Sequence, residues 1–527
     1  MTILGILLIS GLILSGCTKD TTTPVATSAT TAPMTTTAPA TTLTPKYGGV
    51  FRALYNQGPD SLGIPGGTGG AIALQMMRPC VESLVGLSSD GEGFPVPWLA
   101  TDWQVSPDYK AYTFSLQKNV KFHDGTDFNA EAAKYNLDEI MKSTLPVLSS
   151  VDSVEVVDEY TIRVNLKTTE SSFLANIAAG GCTMMSPTAL KAKGAEAKFD
   201  PVGTGPFKFV SYQRDVLLKY ERFDGYWGGK PYLDGIEFAF IADPVTELAS
   251  FKGGEAQAIL SIQPIDAFNI TKTGDYELVT LCAGIQGLAG DSAHPASPFA
   301  DIKVRQAISY AINNEQICQT IGYGYLPAPN QMAVEGSYAY NKDIVGYPYN
   351  PQKAKDLLAE AGYSSGLTFN MIYTSTAVRT DIFTAVKGYL ADVGVTAMLE
   401  PTDRGNYMNA RQKGWTDKMI NFVLPASPGY DTGMGLKTFL SQDASNFISI
   451  FIPDDYQAKL NQANSENDLL KRQALIKELN KMIIDQYCLL STVWGDVALS
   501  AISTSVQDCD MGKFSGTDWH PEKVWLK

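Results

Sequence analysis

A strand, a turn and a helix follow one another without interruption at residues 111–141, in the run AYTFSLQKNVKFHDGTDFNAEAAKYNLDEIM. Apolar and polar residues alternate from Tyr112 to Leu116, which is the pattern of a strand with one buried face. Asp124-Gly125 predicts a turn, and Asn129 predicts the N-cap of a helix. Its apolar side contains Ala133, Leu137, Ile140 and Met141. A chain that places a half-buried strand directly before an amphipathic helix favours a mixed α/β fold.

The second half of the chain repeats this order. The segment VRQAISYAINNEQI begins at Val304 and has apolar residues at helical spacing. Asn350 and Pro351 predict the start of another helix, which ends at Gly362. A third helix ends at Gly394 and gives way to an apolar strand, so the fold class is predicted to be α/β.

Several motifs resemble one known family. They are Phe122-His123-Asp124-Gly125 before the Asn129 helix, VGTGPF at 202–207, YWGGKPYLDGI at 226–236 and YNPQKAKDLLAEAGY at 349–363. This wording resembles the family 5 solute-binding proteins of ABC importers, which include dipeptide-, oligopeptide- and nickel-binding proteins. The resemblance runs from about Tyr47 to the C-terminus.

The resemblance implies a periplasmic-binding-protein-like fold of the class II type, with two lobes around a ligand cleft and an additional inserted domain. We expect residues 46–77, 200–282 and 491–527 to form lobe I. Residues 78–199 would form the inserted domain II, and residues 283–490 lobe III.

The first residues predict export. Residues 1–16 are almost wholly apolar, as in a signal peptide, although no Lys or Arg precedes the apolar run. Leu14-Ser15-Gly16-Cys17 resembles a bacterial lipoprotein processing box, which implies lipidation of Cys17. Residues 17–45 are rich in Thr, Ala and Pro and predict a disordered tether. We therefore expect a protein held by a lipid on the extracytoplasmic face of the cell membrane.

Charge and motif content exclude several functions. The net charge of -14 argues against nucleic acid and against an anionic membrane surface as partners. No nucleophile motif, zinc-protease motif or Walker loop is evident, so we expect a binding protein rather than an enzyme, with no cofactor. The three histidines are far apart, so no metal site is predicted, and His123 is expected to fix its turn. We expect a monomer that delivers its solute to the membrane subunits of an ABC permease.

Ligand-binding residues are implied by the resemblance. Dipeptide binders of this family carry an Asp in the loop matching residues 426–431, and here the Asp is displaced to Asp431, after Gly429 and Tyr430. Arg379 and Arg404 are the candidates for a ligand carboxylate. Candidate walls of the cleft are Phe422 and Trp494.

Three questions stay open at this point. The displaced Asp431 either binds the amine of a peptide or indicates a ligand without an amine, such as an oligosaccharide or a nickel or other metal chelate. A secreted hydrolase on a similar scaffold is the alternative from another functional class. The six cysteines after Cys17 either pair, with 15 possible pairings, or remain buried thiols.

Overall fold

The structure is a computed structural model that describes residues 43–63, 71–88, 94–143, 148–178, 182–425, 431–513 and 519–527. The predicted signal peptide, Cys17 and most of the predicted tether lie outside these residues. Residues from Pro45 to Lys527 form one compact unit. In the described part of the chain, no helix has both the length and the apolar character needed to cross a bilayer.

The described residues contain twenty strands. In chain order they are β1 (Val50–Tyr55), β2 (Glu82–Ser83), β3 (Val85–Leu87), β4 (Pro95–Pro97), β5 (Ala100–Val105), β6 (Ala111–Leu116), β7 (Val151–Asp158), β8 (Thr161–Leu166), β9 (Thr183–Met184), β10 (Phe207–Gln213), β11 (Leu217–Arg222), β12 (Gly235–Phe240), β13 (Ala258–Ile259), β14 (Tyr276–Gly290), β15 (Leu367–Thr374), β16 (Val395–Thr402), β17 (Met419–Pro425), β18 (Ser491–Ser503), β19 (Val506–Gln507) and β20 (Trp525–Leu526).

The same residues contain fourteen α-helices. In chain order they are α1 (Ala71–Met77), α2 (Ala130–Lys142), α3 (Phe173–Asn176), α4 (Pro187–Lys193), α5 (Pro244–Lys252), α6 (Pro264–Ile270), α7 (Ile302–Ala311), α8 (Asn314–Ile321), α9 (Pro351–Glu360), α10 (Ala377–Ala391), α11 (Arg404–Lys413), α12 (Thr432–Phe439), α13 (Asp454–Ser465) and α14 (Leu469–Lys481). A π-helical turn, Met482–Gln486, continues α14.

The strand–turn–helix predicted at residues 111–141 is confirmed. β6 buries Tyr112 and Phe114, and α2 begins after Asn129, whose side chain accepts a hydrogen bond from the backbone N–H of Ala132. β6 belongs to a four-stranded antiparallel sheet in the order β5-β6-β8-β7, which packs against α2. This sheet and α2 share an apolar core that extends from Leu84 to Met184.

One ten-stranded sheet organises the rest of the compact unit. Its order is β10-β11-β12-β1-β13-β18-β14-β17-β15-β16. We call β10 to β13 with β1 the first half-sheet, β15 to β17 the second half-sheet, and the long central pair β14 and β18 the waist. The waist strands pair from Tyr276 with Ser503 to Leu288 with Ser491, with register shifts near Cys282 and Gln286.

The two half-sheets run in opposite directions. β1 is parallel to β12 and β13, and β13 is antiparallel to β18. On the other side, β17 is antiparallel to β14 and parallel to β15, which is parallel to β16. The carboxyl ends of β12, β1 and β13, here the first edge, therefore face the carboxyl ends of β15, β16 and β17, here the second edge. The residues of β14 between these edges, Leu278 to Gly284, span roughly 17–20 Å of strand.

Four further apolar cores flank the two faces of this sheet among the described residues. The helices predicted from Val304 and after Asn350 are confirmed as α7 and α9. The six cysteines after Cys17 are free thiols, and five of them are buried. The proposed boundaries at residues 77/78, 199/200, 282/283 and 490/491 stay predictions.

Candidate functional site

The second edge places three helix starts beside the waist. α10, α11 and α12 follow β15, β16 and β17, and their N-caps are Thr376, Asp403 and Asp431. In open α/β sheets, ligands bind in the crevice outside the carboxyl ends of parallel strands. The gap between the first and second edges is therefore the candidate binding site.

Arg379, in the first turn of α10, is the charged group of this edge that contacts the waist. Its Nη1 donates to Thr374 Oγ1 at 2.7 Å, and its Nη2 lies 3.5 Å from Asp496 Oδ2. The side chains of Arg379 and Asp496 are 26% and 43% exposed. A long and partly solvated ion pair contributes little to stability, so the contact with Asp496 holds the Arg379 guanidinium only weakly.

Neutral groups hold Asp496 in place. Gln286 Nε2 donates to Asp496 Oδ2 at 2.9 Å, and Gln286 Oε1 accepts from Asn421 Nδ2 at 3.0 Å. The Tyr407 hydroxyl donates to the Asn421 carbonyl at 2.6 Å. Burial raises the pKa of Tyr407 to about 12, although the charges of Arg411 and Arg379 act in the opposite direction. The network gives one positive and one negative group side by side at the gap.

Sequence reasoning missed Asp496 and Gln286. Both residues nevertheless stand out in the sequence of their strands. Asp496 is a lone acid within the mainly apolar strand β18. Gln286 is likewise a polar side chain within the buried run of β14. A polar residue inside such a strand needs a partner, and here each is the other's partner.

Asp431 forms a buried ion pair. Its Oδ2 accepts from Arg472 Nη1 at 2.6 Å and its Oδ1 from Arg472 Nη2 at 2.7 Å, with side chains 6% and 7% exposed. Oδ1 also caps α12 through the N–H of Met434. Burial alone would lower the pKa of Arg472, but the hydrogen bonds and charge of Asp431 outweigh it and raise this pKa. An ammonium group would have to compete with Arg472, so the amine-binding role of Asp431 stays a prediction.

The remaining predicted site residues are not gathered around Arg379. Arg404 is exposed in the first turn of α11. Phe422 and Trp494 are fully buried, where Phe422 packs on Phe447 and Trp494 on Phe383. Gly429 and Tyr430 lie outside the described residues.

A cavity of about 430 Å³ lies against the waist. Thr280, Cys282 and Val497 line it from the two strands, and Tyr325 and Glu335 line it from the loop after α8. Burial raises the pKa of the Cys282 thiol to about 11, which keeps it protonated at neutral pH.

The described residues contain no group of three or more His, Cys, Asp or Glu side chains arranged to hold a metal. His123 is partly buried and donates from Nε2 to the Gly205 carbonyl at 2.8 Å, which ties its turn to the segment before β10. Burial lowers the pKa of His123 to about 4. His294 and His520 are paired with Asp291 and Asp510, at 2.6 Å each.

Comparison with known proteins identifies the family. The model described as bacterial extracellular solute-binding proteins, family 5 Middle, matches residues 95–447. The glutathione-binding protein GsiB of Pectobacterium atrosepticum is 35% identical over 316 residues, which are 58% of this chain and 61% of the relative. The chain thus spans about three fifths of the length of the curated relatives it matches.

Two solved structures share the fold. NikA from Brucella suis, in complex with Fe(III)-EDTA, has a TM-score of 0.81 at 24% identity, and the substrate-binding protein CtaP of an ABC transporter from Listeria monocytogenes has 0.80 at 21%. Each comparison covers 91% of this chain and 100% of the other.

These comparisons confirm the predicted α/β fold of the periplasmic-binding-protein type with two lobes. The family is extracytoplasmic and its members are binding proteins rather than enzymes. The family model covers more than half of the chain, including the strand–turn–helix from which its motifs were read. The chain belongs to the bacterial extracellular solute-binding proteins of family 5.

Proposed function

We propose that this protein is the receptor of an ABC importer and captures a peptide-like solute that carries a free carboxylate. The proposal is based on the contacts that the Arg379 guanidinium makes. Its guanidinium lies at the second edge, is held by the neutral Thr374 hydroxyl, and has only a 3.5 Å contact to Asp496. A ligand carboxylate that replaces this contact forms two charge-assisted hydrogen bonds in place of one poor one.

The chemistry of a relative supports the same solute class. The relative that is 35% identical over 316 residues is named for glutathione, a tripeptide with free carboxylates and a free amine. A ligand held at one edge by Arg379 and by backbone or side-chain groups at the other would favour closure of the gap, because binding energy stabilises the closed state. We propose that the permease recognises that closed state.

We also propose that the protein is not an enzyme. Asp496 lies beside a cation and an amide, which hold its orientation, and no nucleophile contacts it within the described residues. A hydrolase would need a nucleophile and a base within hydrogen-bond distance of each other. Recovery of intact ligand from denatured protein supports binding, whereas turnover of a peptide would contradict it.

Attachment to the membrane through lipidated Cys17, after removal of residues 1–16, is part of the proposal. Its support is the Leu14-Ser15-Gly16-Cys17 sequence and the Thr-, Ala- and Pro-rich segment that follows. We further propose that the receptor acts as a monomer. Mass spectrometry of the mature N-terminus tests the lipid, and analytical ultracentrifugation tests the oligomeric state.

The experiment for the binding site compares two arginines of the same edge. Calorimetry would measure glutathione and the dipeptide Ala-Phe, each with and without a C-terminal amide, on wild type, Arg379→Gln and Arg404→Gln. Loss of a hydrogen bond to a charged group costs about 1.5–3 kcal/mol, so Arg379→Gln is expected to weaken the free acids roughly 10- to 100-fold.

Arg404→Gln is the matched control, because Arg404 is exposed and begins the neighbouring helix. Equal affinity for acid and amide in wild type, or equal losses in both variants, would overturn the role of Arg379. Absence of any peptide binding, together with binding of a metal chelate or an oligosaccharide, would overturn the peptide assignment.

A further inference from the structure

A buried carboxyl group lies at the first edge, across the gap from Arg379. Glu247 is in the first turn of α5, the helix that follows β12. Tyr55 is the last residue of the neighbouring strand β1, and Ser261 follows β13 with a left-handed backbone (φ 65°). Three adjacent parallel strands therefore bring a carboxyl and two hydroxyl groups to one edge.

Glu247 has no visible internal role. Its residue is only 4% exposed, and its Oε1 has no hydrogen-bond partner among the residues that the structure describes. Two other buried acids among the described residues are satisfied: Asp431 has Arg472, and Glu82 accepts from four donors. A buried unpaired carboxyl is costly, so its presence needs a reason.

The pKa shifts of Glu247 and Tyr55 agree with a carboxyl group that lacks a partner. Burial raises the pKa of Glu247 to about 7, and no cation or hydrogen bond offsets the effect. Burial also raises the pKa of Tyr55, the Ser261 hydrogen bond lowers it, and the charge of Glu247 raises it further. Tyr55 thus lies close enough to Glu247 to respond to its charge.

We propose that Glu247, with the Tyr55 and Ser261 hydroxyl groups, is the subsite for a primary ammonium group of the solute. An ammonium has three N–H donors and one positive charge. The carboxylate supplies the counter-charge and an acceptor, and the hydroxyl oxygens supply further acceptors. The inference rests on the proposed function and deepens it, because it makes the solute a zwitterion whose amine lies at the first edge and whose carboxylate lies at the second.

This assignment also removes the need for Asp431 to bind the amine. Asp431 is on the second edge and is already paired with Arg472. A zwitterion held by Glu247 and Arg379 would contact both half-sheets at once, so only the closed arrangement would satisfy both of its charges. Solutes that lack one charge are then expected to bind without full closure.

The test uses calorimetry with Ala-Phe, N-acetyl-Ala-Phe and N-acetyl-Lys-Phe on the full mature chain. Glu247→Gln keeps the shape of the side chain and is expected to weaken Ala-Phe about 10- to 100-fold, with no change for N-acetyl-Ala-Phe. Glu255→Gln is the matched control, because Glu255 is an exposed acid in the loop after α5. N-acetyl-Lys-Phe distinguishes a side-chain amine from an N-terminal amine, because only its lysine side chain carries a free amine. If Glu247→Gln weakens the binding of this peptide, the subsite binds a side-chain amine.

The outcomes separate the two proposals. Binding of Ala-Phe that depends on Arg379 and is unchanged in Glu247→Gln would overturn the ammonium subsite alone. Absence of binding by any of the three peptides to wild type would overturn the peptide receptor itself. Tyr55→Phe is the second variant if Glu247→Gln does not fold, and it is expected to weaken only the peptides with a free amine.

Discussion

Replacing Asp431 by Asn is expected to destabilise the fold strongly. The change leaves the guanidinium of Arg472, 7% exposed, without the carboxylate that accepts from two of its nitrogens at 2.6 and 2.7 Å. Removing one partner of a buried ion pair costs about 3–5 kcal/mol. Asn still accepts from the N–H of Met434, so the N-cap of α12 adds no further loss. Proteins of this kind are stable by roughly 5–15 kcal/mol, so the change removes a large share.

The assay is equilibrium unfolding in urea, followed by far-ultraviolet circular dichroism and tryptophan fluorescence. Asp468→Asn is the matched control, because Asp468 also caps a helix, α14, and pairs with a nearby cation, Lys471. That pair is exposed and 3.8 Å long, so the control is expected to lose less than about 1 kcal/mol.

A double-mutant cycle with Arg472→Met isolates the pair. The double variant Asp431→Asn, Arg472→Met leaves no buried charge and is expected to recover at least about 2 kcal/mol relative to the sum of the single losses. A loss below about 1 kcal/mol in Asp431→Asn would refute the reasoning. If that variant instead folded normally and lost affinity only for peptides with a free amine, Asp431 would have the ligand role expected from the resemblance.

Three further expectations concern titration and burial. Glu247→Gln is expected to stabilise the fold by about 3 kcal/mol above pH 7 and not below pH 4.5. The pKa of Glu247 is about 7 in the folded protein and 4.5 in the unfolded chain, so wild type loses stability as pH rises between these two values. Equal urea midpoints at pH 4.5 and pH 8, in wild type and in the variant, would contradict this. Glu82→Gln is expected to cost about 2–4 kcal/mol, because the N–H₂ that replaces one carboxylate oxygen would face the indole N–H of either Trp98 or Trp227. A thermal melt close to wild type would contradict this. The pKa of His294, measured by NMR, is expected to lie above the ordinary value of 6.5 because of its hydrogen bond with Asp291. The stabilisation from this pair is complete below the pKa of the unfolded chain and is lost as pH rises through the pKa of the folded protein. A His294 pKa that is the same in Asp291→Asn as in wild type would contradict this.

Local signals predicted the secondary structure. The N-cap at Asn129 and the Pro351 helix start depend on residues within one turn of each other. Such contacts form whatever the rest of the chain does. The structure therefore has these elements within a residue or two of the predicted positions.

The site could not be predicted in the same way, because its contacts are distant in sequence. Arg379 and Asp496 are 117 residues apart, and Gln286 and Asp496 are 210 apart. These residues come into contact because of the strand order of the ten-stranded sheet, which cannot be predicted from short stretches of sequence. The resemblance named Arg379, but it gave no indication of Asp496 or Glu247, whose significance lies in the side chains around them.

The waist has a mechanical consequence. Among the described strands, β14 and β18 alone carry the main sheet from one half to the other, and their pairing shifts register at two places, near Cys282 and near Gln286. Two-stranded ribbons twist more readily than broad sheets, and bulges increase local twist. Any rotation of the first half-sheet against the second would therefore twist the waist and produce elastic strain in it. The resting ratio of open to closed molecules would be set by the stiffness of that ribbon, so deleting the extra residue near Cys282 should change apparent affinity for every solute by one common factor.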